Sequence, residues 1–291
     1  MKIAVCIKQV IDVTFPFDLD TETCKIFEDD IFYVINPADL CAAQLAVNIK
    51  ETQGAEIIFI SFGPPRVQKA LRHCLALGGD HAIQVWDQNL SSAGGAGAYI
   101  LSRVMQTLSP DLVLCGSHSL DENCSEVAPS VAEHLNLPHV TGVTAIDLSG
   151  ANEKMIVERK LEKGRRVSLE CPLPAVLGIE PGLEKPEYAS LPRLLDAAGA
   201  EITCMDLKSL GIDEQEIRPY SLRRKLVRLS LPRPRPKKTF TFDSSLSADD
   251  RMELLMSGGL QETKSDLLEG DPGDLADKLA EILKQEALDR A

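Results

Sequence analysis

Between Asp111 and Leu135 the chain reads DLVLCGSHSLDENCSEVAPSVAEHL, which sets a hydroxyl, an imidazole and a carboxylate close together at Ser117, His118 and Asp121. These are the group types of a nucleophilic relay, in which a base takes the proton of an attacking hydroxyl and an acid orients the base. Residues so near in sequence usually point apart, and the chain has no G-x-S-x-G elbow. As a cradle the same loop needs less. Asp121, Asn123 and Ser125 are N-cap types ahead of a helical pattern that starts near Glu126, and free N–H groups at a helix start attract phosphate.

The remaining candidates for chemistry are sparse. His73, His81, His134 and His139 have no metal-ligand spacing. The glycines of SSAGGAGAYILS match neither G-x-x-x-x-G-K-[ST] nor G-x-G-x-x-G placed after a strand, so they read as a turn ahead of a helix. No catalytic constellation and no metal set emerges from the sequence.

The elements that would position the loop are legible from hydrophobic patterning. The segments KIAVCIK (2 to 8), AEIIFIS (55 to 61), HAIQVW (81 to 86) and DLVLCG (111 to 116) are short, nearly continuous apolar runs, as expected of strands buried on both faces of a parallel sheet. Helical patterns lie between and after them at 39 to 50, 65 to 77, 97 to 108 and 126 to 135. Strand alternating with helix predicts an α/β, doubly wound, mostly parallel sheet. Beyond Pro138 four runs follow without helices: HVTGVTAIDL, EKMIVERKLE, RRVSLEC and PAVLGIE. They predict an antiparallel addition. Residues 1–205 are expected to form the α/β domain, and 206–291 a C-terminal arm that needs another surface.

Open parallel sheets bind ligands at the carboxyl ends of their strands. Three loops fall there: Ser61 to Pro64, Gly116 to Ser125, and Asn36-Pro37 ahead of the first helix. Glycine at 63 and 116 is expected to let backbone approach a ligand closely.

Composition narrows the function classes. The 291 residues are 44% hydrophobic, enough for a large core, and the formal net charge of −13 disfavours nonspecific nucleic-acid or anionic-membrane binding. Eight cysteines without a C-x-x-C pair indicate reduced thiols and a cytoplasmic location. From Arg218 to Lys238 there are nine Lys or Arg and no acid. Without interleaved aromatics beyond Tyr220, that stretch suits an acidic protein partner better than nucleic acid.

Several segments together carry a resemblance. KIAVCIKQVID, NPADLCAAQLAVNIKE, SFGPPRVQKALRHCLALGGDHAI and LCGSHSLDENCSEVAPSVAEHLNLPHVT occur in the order and spacing of electron-transfer flavoprotein β subunits. VERKLEKGRRVSLECPLPAVLGIEPGLEKPEYASLPRLLDA is the most specific stretch, with Arg159 and Glu162 of an R-x-x-E, Pro174-Ala175-Val176, and Tyr188 to Pro192. The resemblance implies a Rossmann-like, adenine-nucleotide-binding fold and a heterodimer whose α subunit holds an FAD. That FAD would shuttle electrons between acyl-CoA dehydrogenase-type flavoenzymes and an acceptor, with an iron–sulfur quinone reductase as a candidate partner. The β subunit would bind AMP, or a second FAD in bifurcating members that oxidise NADH. The alternative within the same fold is a flavin-free nucleotide-sensing regulatory protein.

By the same resemblance the nucleotide cradle is Cys6, Asn36, Phe62, Gly63, Gly116, Asp121, Ser125, Glu126 and Val127. Val13 and Ala38 stand where some relatives place aromatics near the α-subunit flavin. Tyr188, Leu191 and Pro192, within a docking loop at 186–200, would meet the dehydrogenase. Other departures point both ways. AGGAGAY replaces an Asp-Thr motif of bifurcating members, whereas EVAP at 126–129 resembles their loop. A lysine cluster after the docking loop is missing and the tail past Thr239 is long, which implies a distinct partner.

Overall fold

The computed structural model of the protein describes residues 1–15, 20, 31–87, 95–148, 154–221, 247, 249, 251–252 and 270–289. The chain forms two compact units, Met1–Leu231 and Pro232–Ala291.

In the first unit the elements run β1 (Lys2–Cys6), β2 (Gln9–Ile11), β3 (Tyr33–Ile35), α1 (Pro37–Gln53), β4 (Glu56–Phe62), a 3-10 turn (Pro65–Val67), α2 (Gln68–Leu77) and β5 (His81–Val85). They continue with α3 (Gly97–Leu108), β6 (Leu112–Gly116), α4 (Val127–Leu135), β7 (His139–Asp147), β8 (Lys154–Lys160), β9 (Arg166–Pro172), β10 (Ala175–Ile179), α5 (Leu191–Ala198), β11 (Thr203–Met205) and α6 (Glu214–Ser221). In the second unit α7 (Pro272–Asp289) covers the amphipathic pattern at the chain end.

Among the described residues nine strands form one sheet in the order β11-β5-β4-β1-β6-β10-β7-β8-β9. Pairing is parallel from β11 through β7 and antiparallel from β7 to β8 and β8 to β9. The fold is therefore the expected α/β sheet with an antiparallel addition. One assignment changes: PAVLGIE is not antiparallel, because β10 inserts between β6 and β7 and runs parallel to both. Its fully buried pattern belongs to a central strand, whereas β9 at the edge alternates exposed and half-buried residues. The antiparallel ribbon of β2 and β3, the edge strand β11 and the helix α6 were not among the expected elements.

Strand alternation divides the core in two. Ile3, Val5, Ile57, Phe59, Leu112 and Leu114 face α1 and α2, while Ala4, Cys6, Ile58, Ile60, Val113 and Cys115 face α3 and α4. Each fully buried Leu, Ile or Met, such as Leu71, Ile100 and Met105, contributes about 1.5–3 kcal/mol by leaving water. Leu207, Leu210, Ile212 and Ile217 pack into the α3/α4 cluster, so the expected boundary at 205 falls inside the first unit.

The helix from Pro37 starts with proline at its first position, where the missing N–H costs nothing. The basic run from Arg218 to Lys238 lies outside the described residues from 222 onward. Among the described residues no helix is long and apolar enough to cross a membrane.

Candidate functional site

Chain order reverses at β1: the path leads to β4 on one side and later to β6 on the other. Loops leaving neighbouring strands there diverge to opposite faces and leave a crevice at the carboxyl ends. A pocket of about 310 Å³ occupies it, lined by Cys6, Asn36, Phe62, Gly63, Gly116, Ser125, Glu126 and Val127 together with Lys8, Asp39, Trp86, Gly97 and Leu101, among others. The structure thus brings together eight of the nine expected cradle residues. Asp121 is not in the lining.

The frame of the pocket is set by two side chains at the start of α1. Asp39 accepts the amide of Lys8 at 2.7 Å through Oδ2 and the amide of Gly116 at 2.9 Å through Oδ1. Asn36 donates from Nδ2 to the carbonyl of His118 at 2.8 Å and accepts the amide of Leu120 at 3.2 Å. One helix start therefore holds both the exit of β1 and the loop after β6. Burial drives the carboxyl of Asp39 up to about 7 even though the Lys8 and Gly116 amides and Asn36 favour its charged form.

The glycines serve internal packing. A Cβ on Gly116 would clash with Asp39 Oδ1 and lie 2.7 Å from Ala38 Cβ. A Cβ on Gly63 would lie 2.7 Å from Val67 Cγ1. Gly116 therefore has a packing requirement of its own, beside the close backbone approach expected there, while at Gly63 the neighbour is a valine side chain.

The loop from 117 to 126 does not assemble a relay. Ser117 Oγ and His118 Nδ1 are 2.9 Å apart, but Asp121 is engaged by Lys8 Nζ at 2.8 Å, and Glu122 lies 3.5 Å from the same ammonium. Burial works against ionisation of Asp121, yet Lys8, Ser119 and the Glu122 amide together hold its carboxyl below the usual range. The N-cap expectation also changes. Helix α4 begins at Val127 with Glu126 at the cap and no side-chain capping bond. Asn123 and Ser125 instead take left-handed backbone, with φ of 50° and 52°, which turns the chain into the helix.

The chemistry on offer is recognition. Phe62 and Trp86, with ring centroids 6.3 Å apart, stand with Leu101 in an apolar part of the lining. The first residues of α3 and α4, Gly97 and Val127, are also in the lining, so two helix N-termini open on the same space. Pro129 is the third residue of α4; Val127 and Ala128 offer amides in that turn and Pro129 does not. Among the described residues Lys8 is the only Lys or Arg in the lining, and its ammonium is already paired with acids. An anion here would be met by backbone N–H groups. On the floor, the Cys115 thiol is pushed up by its hydrogen bond with Cys6 and by burial, which makes it inert packing rather than a nucleophile.

Sequence reading missed Lys8, Asp39 and Trp86. Asp39 reads as ordinary acid in a first helical turn, and only the buried strand exits facing it reveal its role. No group of three or more metal-binding side chains occurs among the described residues.

The other expected positions separate. Val13 is exposed after β2, whereas Ala38 is 1% exposed against the Gly116 backbone. Tyr188 is fully exposed and Leu191 is 69% exposed; Pro192 is exposed beside them on α5.

Comparison with known proteins agrees with this architecture. The electron transfer flavoprotein domain model matches residues 23–209. The chain is 32% identical over 238 residues to the electron transfer flavoprotein subunit beta of Methylophilus methylotrophus, covering 80% of this chain and 89% of that one. It is 32% identical over 218 residues to caffeyl-CoA reductase-Etf complex subunit CarD of Acetobacterium woodii, covering 74% and 82%. To protein FixA of Azotobacter vinelandii it is 30% identical over 251 residues, covering 84% and 89%. The family match spans well over half of the chain, from β3 through β11, and with these relatives it shows that the chain belongs to the electron transfer flavoprotein family, among its β subunits.

Proposed function

We propose that the chain is the β subunit of a heterodimeric electron carrier, that it holds AMP in the pocket at the exits of β1, β4 and β6, and that it docks an acyl-CoA dehydrogenase-type flavoenzyme through Tyr188, Leu191 and Pro192. The FAD of the carrier belongs to an α subunit and supplies the redox chemistry. This chain binds, positions and docks.

The observation that carries the reading is the convergence of two helix N-termini and an aromatic pair on one pocket at the sheet's switch point. Backbone donors fit a phosphate, and Phe62 and Trp86 fit a flat base. The pocket's volume of about 310 Å³ lies at the small end of the roughly 300–1,000 Å³ range of ligand sites, which favours a mononucleotide over a dinucleotide. Val13 faces the α-subunit flavin in this reading, and Ala38 acts through the packing at Gly116. The C-terminal arm packs on the α subunit, and the assembly works in the cytoplasm.

The test is the cofactor inventory of the chain co-expressed with its α subunit, released by acid and separated by chromatography. One FAD and one AMP per heterodimer is expected. Two FAD would replace the mononucleotide by a second flavin and redirect the reading to an NADH-oxidising component; an absence of AMP and of a second FAD overturns the pocket assignment.

A further inference from the structure

The docking segment does not fold back on the core by itself. Its exposed tip, Tyr188 and Leu191, stands between two points of attachment. Upstream, α1 reaches across to the loop that follows β10. The Glu187 amide donates to Gln44 Oε1 at 2.9 Å, and the Glu184 amide donates to Cys41 Sγ at 3.2 Å. The thiol proton of Cys41 has the carbonyls of Glu184 at 3.3 Å and Glu180 at 3.5 Å as acceptors. Downstream, Arg193 donates to the carbonyl of Leu77 at 3.3 Å, tying α5 to the end of α2.

Cys41 and Gln44 are 2% and 3% exposed, so the helix side of each bond is buried while the loop side is only partly covered. Gln44 is held in turn by its Nε2, which donates to Asn48 Oδ1 at 2.9 Å one turn along α1. Gln44 is buried among Ala42, Ala43, Leu45, Ala46 and Val47 of the same helix, and a buried carboxamide needs hydrogen-bond partners. Its acceptor oxygen is used by the residue immediately before Tyr188.

We infer that Gln44 and Cys41 are positioning residues for flavoenzyme docking: they fix the backbone at Glu184 and Glu187 so that Tyr188 and Leu191 are presented in one arrangement before the partner arrives. This rests on the docking role proposed above. An exposed anchor that is already ordered binds without the ordering cost that a loose loop carries. Gln44 is not among the residues that line the pocket, so its effect is expected on docking and not on the nucleotide.

The experiment uses the full heterodimer with an acyl-CoA dehydrogenase as electron donor, and compares Gln44→Ala, Gln44→Glu and Leu191→Ala with the wild type. Loss of the Glu187 to Gln44 bond is expected to raise the KM for the heterodimer roughly fivefold in Gln44→Ala. The kcat should hold, the AMP content should not change, and exchange of the Glu187 amide should accelerate. Gln44→Glu keeps the acceptor oxygen and, in the neutral form that burial favours, a donor for Asn48 Oδ1, so it is expected to keep both KM and amide protection near the wild type. A Gln44→Ala heterodimer with wild-type KM and a protected Glu187 amide overturns the inference. An unchanged KM in Leu191→Ala overturns the docking role instead, and the Glu187 amide alone then decides whether Gln44 orders the loop.

Discussion

The carboxylate of Asp39 accepts the amide of Gly116 at 2.9 Å, so the first turn of α1 holds the exit of β6 at the floor of the pocket. The contact leaves no room for a side chain at 116, where a Cβ would approach Ala38 Cβ to 2.7 Å and the Ala38 carbonyl carbon to 3.0 Å. Ala38 Cβ and its carbonyl carbon are fixed to the helix backbone and cannot yield as the end of a flexible side chain would. Gly116→Ala is expected to destabilise the chain by about 1–3 kcal/mol, the usual cost of overpacking, and to lower nucleotide content. Denaturant titration of the purified heterodimer measures the first, and acid release the second.

Asp39 also sets a dependence on pH. Its carboxyl is raised from the ordinary 3.8 to about 7 in the folded chain, so the folded state holds this proton more tightly than the unfolded state does. Folding takes up a proton between about pH 4 and about pH 7, and stability from this group therefore falls as pH rises through that window. The drop is on the order of a few kcal/mol. Asp39→Asn, neutral throughout, is expected to flatten this part of the curve of unfolding free energy against pH. Equal slopes for the two proteins would show that burial does not hold the proton.

Phe62 and Trp86 stand together in the pocket lining. If they clasp the base of AMP, Phe62→Ala removes one aromatic face, worth about 0.5–1.5 kcal/mol beyond area burial. AMP recovered per heterodimer after extensive dialysis is expected to fall several-fold. Full retention would place the base elsewhere in the pocket.

Tyr188 is fully exposed and Leu191 largely so, so truncating either should leave the unfolding midpoint unchanged. Interface anchors of this kind cost about 1–4 kcal/mol when removed. Leu191→Ala is expected to slow reduction of the heterodimer by an acyl-CoA dehydrogenase at least tenfold when the heterodimer is below its KM. A fall in thermal stability without a rise in KM would make Leu191 a packing residue of α5.

The strands of the parallel core and the helices between them were legible because continuous apolar runs and helical spacing are local signals. The helix expected at 97 to 108 has those bounds in the structure. The expected helix at 126 to 135 begins one residue later, at Val127, since left-handed backbone at Asn123 and Ser125 makes the turn that N-cap side chains were expected to make. The place of β10 was not legible. A strand's partners depend on chain brought from far away, and nothing in AVLGI records that β6 and β7 will flank it.

For the site the division follows the same line. Residue types and order alone determined that glycine and helix-start loops would gather at one edge of a parallel sheet, because strand direction and crossover handedness leave few other outcomes. Only the tertiary structure decided what those residues do. Asp39 became the clamp on two strand exits, Lys8 took Asp121 into an ion pair, and Gln44 reached across to the backbone beside Tyr188. These are hydrogen bonds between groups 31 to 143 residues apart, and short-range patterning carries no information about which distant amide a buried carboxylate or carboxamide will find.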